Sequence, residues 1–447
     1  MTTVPRSLAA AVVALMATGT ATAAQAATPA SAPAQAPTAT ASTNEIHVAD
    51  GGSDRSAGSA SAPKASIQAA IDAAKPGTVI KVHKGTYSGV LTIRKSGTAS
   101  APITLTNAGD GEVVITSSQA PDSCSNTQPS PRRTIKMNGA SNWIFRGLTI
   151  VHGAYISGEK SNAAYSWHAG KVRARDWQSR RKVPGRGTND PSSTARVVPY
   201  LRSITGASTM QSADRISFIG NTIRGRGVYA ALSSYGTFKD NKVSDLVCGS
   251  GPGLWVMTFS DHWSVTGNDI SRIAPARSHF MYEGIRFGTA SNYNYVARNY
   301  VHDIASDGRA FNTDVDSSYN LFEHNRASNV SVGFNEQMAG WGNTWQYNQA
   351  SNFRQYGFGM RLKDASLSKP SMDTSSRGTI MRCNTVSAPI GKAWSLGIGG
   401  TMGARISGNR FTTVWVSKPA RNYWGAYDNM YNGSKTAPGP NVTPASC

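Results

Sequence analysis

Acidic residues are scarce in this 447-residue chain, which has 25 Asp and Glu against 45 Lys and Arg and a formal net charge of +20. So strong a positive charge favours an anionic partner, because the summed field concentrates polyanions at the protein surface. The sequence has no helix-turn-helix, zinc-finger or RNA-recognition signature, so nucleic acid is not the expected partner. We expect an acidic polysaccharide instead. The alternative is that the charge only keeps the protein soluble.

Long apolar stretches are also absent after the N-terminus, since no later segment reaches the roughly 18 residues that a membrane helix needs. Residues 1–26 have the pattern of a secretory signal, with Arg6, an apolar run over 8–16 and small residues up to Ala26. Residues 27–43 are almost all Ala, Pro, Thr and Ser and predict a disordered linker. We therefore expect a secreted, extracellular protein that does not enter a membrane and acts as a monomer.

Cysteine is rare as well, and the four cysteines do not have the spacing of a zinc site. In a secreted chain they predict two disulfides, and three pairings are possible. A chain of this length can bury a large core, so the bridges are expected to pin loops and the C-terminal tail rather than to make folding possible. The residues concerned are Cys124, Cys248, Cys383 and Cys447.

An asparagine recurs at intervals of 20 to 36 residues in one local pattern, as in GNTI, GNDI and GNRF. Intervals of this size are typical of solenoid coils with insertions of varying length. An asparagine tolerates tight turns, and its amide can bond to the copies above and below, so the column predicts coils made of short parallel strands. The predicted ladder contains Asn221, Asn241, Asn268, Asn299, Asn325, Asn348, Asn384, Asn409 and Asn429.

The repeat also predicts which side chains point into the coil. Counting back 14 residues from four successive ladder asparagines reaches an apolar residue that follows Gly or Ala each time: Leu254, Ile285, Phe311 and Phe334. If these point inward, the alternation of a strand places two columns on the outer face. The first outer column contains Trp255, Arg286, Asn312 and Asn335, and the second contains Met257, Gly288, Asp314, Gln337 and Arg361.

The N-terminal part predicts short strands and a capping helix. Residues 66–74 carry Ile and Ala on one helical face, and Lys75-Pro76-Gly77 ends the helix. Such a helix suits the open end of a solenoid, which would otherwise expose apolar side chains and unpaired strand edges. Strands are predicted over 46–50, 78–83, 90–94, 103–107, 113–116 and 143–150.

Two segments of this part, SIQAAIDAAKPG and VIKVHKGTYSGVLTIRKSGTASAPITLTNAGDGEVVI, resemble secreted right-handed parallel β-helix proteins of the pectate lyase type. The likeness is to chondroitinase B and related alginate lyases and covers residues 46–153. It implies a single-domain, all-β, right-handed parallel β-helix over residues 44–435 with an N-terminal capping helix, followed by a tail over 436–447.

The family's catalytic residues do not carry over. The strand EGIRFG at 283–288 also resembles a rung of that family, so its positions can be compared. The base lysine of the family falls on Asp316, its calcium-binding carboxylates fall on about Arg309 and Phe311, and its arginine falls near Met338. A shifted site or a different substrate is therefore expected.

The outer columns suggest such a site. Removal of the C5 proton of a uronate needs a cation to neutralise its carboxylate and a base to take the proton. Arg286, Arg361 and Lys363 could supply these groups, with the amides of Asn312, Asn335 and Gln337 as additional donors. The competing reading is that such cations on the outer face of a sheet are simply solvated. Trp255 could stack on a sugar ring, although an aromatic residue beside a strand more often packs locally.

Carboxylates on the same face offer a different chemistry. Asp314 and Asp316 are expected to alternate on one strand, where they could bind Ca²⁺ or act as the acid and base of an inverting hydrolase. The alternative is that they form salt bridges with Arg286 or Arg361. Glu336 should point inward by the same register. A bulge that turns it outward is the favoured explanation over a buried, paired or protonated carboxylate.

A basic insertion is expected over residues 154–213, which contains ten Lys or Arg and interleaved aromatic residues. Insertions of solenoids often line the binding face, so Arg180, Arg181 and Lys182 are predicted to bind the anionic chain. A merely solvated loop is the alternative.

Together these patterns predict a secreted polysaccharide lyase that cleaves a uronate-containing polymer by β-elimination. A glycoside hydrolase, a uronate epimerase and a non-catalytic carbohydrate-binding protein remain as alternatives.

Overall fold

The chain winds into a parallel β-helix in which the strands of successive coils pair in three parallel ladders. The computed structural model describes residues 44–117, 133–167, 211–247, 252–274, 282–305, 307–371 and 374–447. The predicted signal and linker over 1–43 therefore lie outside the described residues. Within the described part, no helix has the length and apolar character to cross a bilayer.

The first ladder runs in the order β1 (Glu45–Val48), β2 (Val79–Val82), β5 (Ile103–Asn107), β8 (Trp143–Arg146), β11 (Ile216–Ile219), β14 (Thr237–Lys239), β17 (Ser264–Thr266), β20 (Tyr295–Ala297), β23 (Leu321–Glu323), β25 (Thr344–Gln346), β28 (Ile380–Arg382), β32 (Arg405–Ser407) and β34 (Met430–Tyr431).

The second ladder runs in the order β3 (Gly85–Ser88), β6 (Val113–Thr116), β9 (Thr149–Val151), β12 (Thr222–Arg224), β15 (Lys242–Leu246), β18 (Asp269–Ile273), β21 (Tyr300–Ile304), the first half of β24 (Arg326–Glu336), the first half of β26 (Gln349–Met360) and β29 (Thr385–Ser387).

The third ladder contains β4 (Leu91–Ile93), β7 (Ile135–Asn138), β10 (Ala154–Ser157), β13 (Val228–Ala231), β16 (Leu254–Met257), β19 (Glu283–Gly288), β22 (Arg309–Thr313), the second halves of β24 and β26, β30 (Trp394–Ile398) and β33 (Val414–Val416). A separate pair joins β27 (Ser376–Arg377) to β31 (Thr401–Met402).

The asparagine ladder is confirmed from Asn221 to Asn409. Each side-chain amide donates to the carbonyl oxygen of the next asparagine at 2.8 to 3.1 Å, and the side chains are buried. The assignment of Asn429 to this column is wrong, because Asn429 accepts a hydrogen bond from the backbone of Ala404 in a different turn. That turn has its own ladder, which the sequence reading missed and which contains Asn294, Asn320 and Asn343.

The predicted register of the third ladder is confirmed. Leu254, Ile285, Phe311, Phe334 and Phe358 pair in sequence and are buried in the core. The rings of the three phenylalanines stack with centroid distances of 4.9 and 4.6 Å. Identical side chains repeated on neighbouring coils therefore fill the interior.

The small residue before each of these apolar residues marks a corner where the second ladder turns into the third. A Cβ on Gly284 would collide with Val301, and one on Gly357 would meet Val386, both of which lie in the second ladder. Two successive residues thus face inward at the corner, which interrupts the simple alternation of a strand. The residue before the glycine then faces outward.

The N-terminal elements match the predicted ones closely. Helix α1 (Ile67–Ala73) begins at Ser66, whose side chain accepts a hydrogen bond from the amide of Ala69, and Ile67, Ala70 and Ile71 are buried. The predicted strands correspond to β1, β2, β4, β5, β6 and the pair β8 and β9. Helix α1 contacts β1, β2 and β4, so it packs against the first coil as a cap should.

The insertion begins later than predicted, because residues 154–157 form β10 and pair with β7 and β13. Helix α2 (Ser161–Trp167) follows, and residues 168–210 lie outside the described part. Near the C-terminus, α3 (Lys418–Asn422) has Ser417 as its N-cap.

The C-terminal tail is held by a disulfide between Cys383 and Cys447. Cys124 and Cys248 lie outside the described residues, so a second disulfide stays a prediction.

Candidate functional site

An open pocket of about 210 Å³ lies on the outer face of the third ladder, across β22, β24 and β26. Its walls come from strands of neighbouring coils, from the segment before β22 and from the turn after β26. The lining residues are mostly cations and amides: Asp307, Arg309, Val332, Asn335, Gln337, Gln355, Arg361, Leu362 and Lys363. The pocket therefore carries three cationic side chains and one carboxylate.

Four of the predicted site residues line this pocket, namely Asn335, Gln337, Arg361 and Lys363. Asn312 lies directly behind them, since its side chain bonds to Asn335 and Gln337. Arg286, Asp314, Asp316 and Trp255 are not part of the lining. Residues from both predicted outer columns thus line one site. This site lies across β22, β24 and β26 and does not include Arg286 on β19.

Arg286 is buried, which corrects its prediction as an exposed ligand for a substrate carboxylate. Its side chain is 5% exposed, and its guanidinium lies between two carboxylates. Nη1 donates to Glu283 at 2.7 Å, and Nη2 donates to Asp314. Burial alone would lower the pKa of Arg286, but the charges of Glu283 and Asp314 outweigh it and raise this pKa. Arg286 is therefore a permanent structural cation.

Glu283 is the centre of the polar network behind the pocket. Its carboxylate is fully buried and accepts hydrogen bonds from Arg286, from Arg309 at 3.2 Å and from Asn312 at 2.9 Å. Three donors satisfy a carboxylate that would otherwise be costly to bury. Glu283 therefore couples the buried Arg286 to Arg309, whose side chain is 30% exposed and faces the pocket.

The carboxylate of Glu283 also fixes the orientation of the amides. A carboxylate only accepts hydrogen bonds, so the atom of Asn312 that touches it must be the amide nitrogen. The oxygen of Asn312 then accepts from Asn335 at 2.7 Å, and its nitrogen also donates to the side-chain oxygen of Gln337 at 3.0 Å. This leaves the amide nitrogen of Gln337 as a donor at the pocket.

Sequence analysis missed Glu283 and, as a site residue, Arg309. Both precede the small residue at the corner, and they pair with each other in the ladder. They lie three residues before Arg286 and Asn312 of the first outer column, so strict alternation, which leads to Gly284 and Ala310, does not find them. The inward pair at the corner hid this third outer column, which continues through Val332 and Tyr356.

Arg361 ends the strand β26 in a left-handed conformation with φ of 44° and begins a 3₁₀ turn over Leu362–Ser366. Its Nε lies 2.6 Å from the carboxylate of Asp364, and its Nη1 donates to the backbone oxygen of Gln337 at 2.7 Å. Asp364 is buried and also accepts from Thr374 and Ser375. Arg361 therefore fixes the turn to the neighbouring coil and is not a free cation.

Lys363 lies in the turn that Arg361 anchors. Its side chain is exposed and lines the pocket, and among the described residues no hydrogen bond or ion pair of its Nζ is seen. Of the three predicted cations, only Lys363 stands exposed on the outer face as the sequence suggested.

Asp314 and Asp316 do not alternate on a strand, because β22 ends at Thr313 and Val315 and Asp316 have positive φ values of 37° and 65°. Both side chains are buried, and Asp314 accepts from Arg286, as the alternative reading had it. A calcium ion takes six to eight oxygen ligands, and it would be repelled by the adjacent guanidinium. Among the described residues, no group of three or more His, Cys, Asp or Glu could hold a metal. These two residues do not fit a calcium site.

Trp255 is buried beneath the outer face, with an exposed fraction of 3%, so it offers no platform for a sugar ring. It packs edge-on against Tyr229 and lies under the guanidinium of Arg286 at 5.7 Å. The prediction of Trp255 as a stacking residue is therefore wrong, and local packing was the correct alternative.

Glu336 points inward, so the favoured bulge is wrong. It pairs in register with Thr313 and Met360, and the irregularity of β24 lies at Val330–Val332 instead. Its carboxylate accepts from Asn343 at 2.8 Å and from Thr379 at 2.6 Å, at the end of the second asparagine ladder. Burial raises the pKa of Glu336, and its hydrogen bonds counteract this only in part. Glu336 therefore has a structural role, and its side chain does not line the pocket.

Arg180, Arg181 and Lys182 lie outside the described residues, so their role in binding an anionic chain stays a prediction.

The N-terminal coils are similar in sequence to known β-helices. Residues 46–172 match a family described as Pel9A-like, right handed beta helix region. Pectate lyase PEL9 of Emericella nidulans is 30% identical over 167 residues, which are 36% of this chain and 38% of that protein. The chain thus matches little more than a third of this relative's length. The resemblance to right-handed β-helices of the pectate lyase superfamily is confirmed.

Solved structures of similar architecture have low sequence identity to this chain. Pectate lyase Pel9A is 15% identical, with a TM-score of 0.41 over 91% of this chain and 90% of that chain. Endo-xylogalacturonan hydrolase from Aspergillus tubingensis is 12% identical, with a TM-score of 0.47 over 85% of this chain and 94% of that chain. These two similarities do not distinguish a lyase from a hydrolase.

Proposed function

We propose that this protein is an extracellular polysaccharide lyase that binds a uronate-containing chain across β22, β24 and β26 and cleaves it by β-elimination. The observation that carries the proposal is the pocket in which Arg309, Arg361 and Lys363 meet the amides of Asn335, Gln337 and Gln355. Cations with neutral donors between them suit a sugar that carries a carboxylate among hydroxyl groups.

Arg309 and Gln337 are the proposed ligands of the substrate carboxylate. Arg309 commits one nitrogen to Glu283, which orients the guanidinium, and the rest of its planar fork faces the pocket. Gln337 presents its amide nitrogen, because its oxygen is occupied by Asn312. Neutralising the carboxylate stabilises the negative charge that develops on the sugar when the C5 proton leaves.

Lys363 is the proposed base. Its Nζ takes the proton from C5, the electron pair of that C–H bond forms the C4–C5 double bond, and the bond between C4 and the bridging oxygen breaks. The departing oxygen takes a proton from water, which can enter the open pocket, and becomes a hydroxyl of the leaving sugar. Arg361 is proposed to position the turn that carries Lys363, since its guanidinium is engaged by Asp364 and by the backbone of Gln337.

A hydrolase is less well supported at this pocket. Its acid and base are a pair of carboxyl groups separated by several ångströms. Among the described residues that line the pocket, Asp307 is the carboxylate, whereas Asp314 is paired with Arg286 and Glu336 lies in the core. An epimerase could use the same cations and amides, so it is distinguished by its products.

The test is an assay of the purified protein on alginate, pectate, glucuronan, chondroitin, hyaluronan and heparin. The lyase proposal predicts that at least one polymer is shortened and that its new ends absorb in the ultraviolet, because β-elimination leaves a conjugated double bond. Replacing Arg309 with Ala should weaken binding of that polymer, whereas Arg410→Ala, at an exposed arginine outside the pocket, should not.

The products decide between the alternatives. Shortened chains without ultraviolet absorbance would show a hydrolase, and unchanged chain length with altered uronate stereochemistry would show an epimerase. Binding without turnover on any of the polymers would show a carbohydrate-binding protein. Each of these three results contradicts the proposed lyase.

A further inference from the structure

We infer that the guanidinium of Arg286 occupies the position between Glu283 and Asp314 that a divalent metal ion could otherwise occupy. The pocket is therefore formed without bound calcium. The part of this inference that concerns substrate binding rests on the proposed function. The part that concerns the cation site stands on geometry alone.

The guanidinium of Arg286 bridges carboxylates from two neighbouring coils. Glu283 lies on the same strand, β19, and Asp314 directly follows β22, the next strand of the ladder. One terminal nitrogen donates to each carboxylate, so the planar fork spans the gap between the coils. A divalent ion that joins two carboxylates would have the same connectivity.

Burial makes this arrangement specific. The side chains of Glu283, Arg286 and Asp314 are 0%, 5% and 8% exposed. Two carboxylates this close and this deep need a compensating charge, because an unpaired buried carboxylate is strongly destabilising. Arg286 provides one positive charge and Arg309 provides a second through Glu283, so the charges of these four described side chains balance.

A charge-balanced, hydrogen-bonded set of side chains has no place for a further cation. Calcium would have to displace the guanidinium of Arg286 before it could reach Glu283 and Asp314. Burial would lower the pKa of Arg286, but the two carboxylates outweigh this effect and raise it, which favours the charged guanidinium. A covalently attached cation is not removed by a chelator, whereas a bound metal is.

The experiment measures thermal unfolding of the full chain and of Arg286→Ala, each with a chelator and with excess calcium chloride. The wild-type Tm should be the same in both conditions. Arg286→Ala removes the guanidinium that bridges Glu283 and Asp314, and calcium should restore part of the lost stability. We expect the Tm of Arg286→Ala to rise by about 2–5 °C when the calcium concentration is about one hundred times the dissociation constant of its site.

The matched control is the double variant Arg286→Ala with Asp314→Asn, which removes one of the two candidate ligands and should lose the calcium response. A wild-type Tm that falls with chelator, or rises saturably with calcium, would overturn the inference. A folded Arg286→Ala that does not respond to calcium would overturn it too. If that variant does not fold, calorimetric titration of the wild type with calcium decides alone, with no binding expected.

These readouts need no substrate, so they are independent of the proposed lyase activity. An inactive protein with the expected calcium behaviour would contradict the proposed function and leave the cation assignment standing. An active protein that requires calcium would contradict the cation assignment and leave the lyase standing.

Discussion

The inner and outer faces of the third-ladder strands differ in how regularly their residues repeat from coil to coil. Inside, Phe311, Phe334 and Phe358 repeat one chemistry on successive coils and stack ring on ring. Outside, the next residues in the chain are Asn312, Asn335 and Gly359. Asn312 donates to Glu283 and accepts from Asn335, whereas Gly359 has no side chain. The interior is set by a repeated environment, whereas the outer face is set by contacts between residues that are distant in sequence.

Replacing Phe311 with Ala should produce the largest loss of stability. The ring lies between Ile285 and the ring of Phe334 on the two neighbouring coils, and its removal leaves a cavity that rigid coils cannot close. We expect a cost of about 3–5 kcal/mol. Chemical denaturation of the variant and the wild type measures it. Lys363→Ala, at an exposed position on the outer face, should cost almost nothing, and equal costs at the two positions would contradict the assignment of the faces.

Replacing Arg361 with Ala tests whether the outer face is also structural. Among the described residues, the change leaves the buried carboxylate of Asp364 with the hydroxyls of Thr374 and Ser375 as its side-chain donors. Breaking such a pair costs about 3 kcal/mol. The double variant Arg361→Ala with Asp364→Asn removes the buried charge and should be destabilised less than the single variant. If Arg361→Ala is as stable as the wild type, Arg361 is a solvated surface residue.

Replacing Glu336 with Gln tests a buried carboxylate whose pKa is raised in the folded state. A carboxyl group of raised pKa binds more protons folded than unfolded, so its contribution to stability is complete below the unfolded pKa and falls as pH rises through the folded pKa. The wild type should therefore lose stability from acidic to neutral pH that the Gln variant retains. Unfolding measured across that range would show identical pH profiles if Glu336 were exposed through a bulge.

Neutralising Arg180, Arg181 and Lys182 together should have the smallest effect, and it concerns binding alone. Each lost contact with an anionic chain releases fewer counterions, so the affinity should fall and its dependence on salt should become flatter. Titration of the polymer at low and high salt measures both quantities. An unchanged affinity at both would mean that this segment is a solvated loop.

Much of the fold could be predicted because its determinants are local and repeated. The 14-residue offset located Ile285, Phe311 and Phe334 correctly, since every coil places the same residue in the same interior. The second asparagine ladder was missed although its members have a similar flanking pattern, as in YNYV at Asn294 and GNTW at Asn343, because one asparagine was assigned to each coil. Asn429 was misplaced because it has that pattern in a different turn.

The site could be predicted only in outline. The outer columns led to Asn335, Gln337 and Lys363, but the alternation rule fails at the corner, where two inward residues follow each other, and this concealed Glu283 and Arg309. Ion pairs also cannot be inferred from spacing. The pairing of Arg286 with Asp314 crosses from one coil to the next, and it turned two predicted catalytic groups into buried structural ones.

The most direct test of the central claim is the turnover of Lys363→Ala on the polymer that the wild type cleaves best. Lys369→Ala is the matched control, because this lysine is exposed nearby and does not line the pocket. If Lys363 removes the C5 proton, its replacement should lower kcat by about 10²–10⁴-fold without lowering Tm, and the control should keep full activity. Equal activity of the two variants would contradict a base at this position and, with it, a catalytic pocket across β22, β24 and β26.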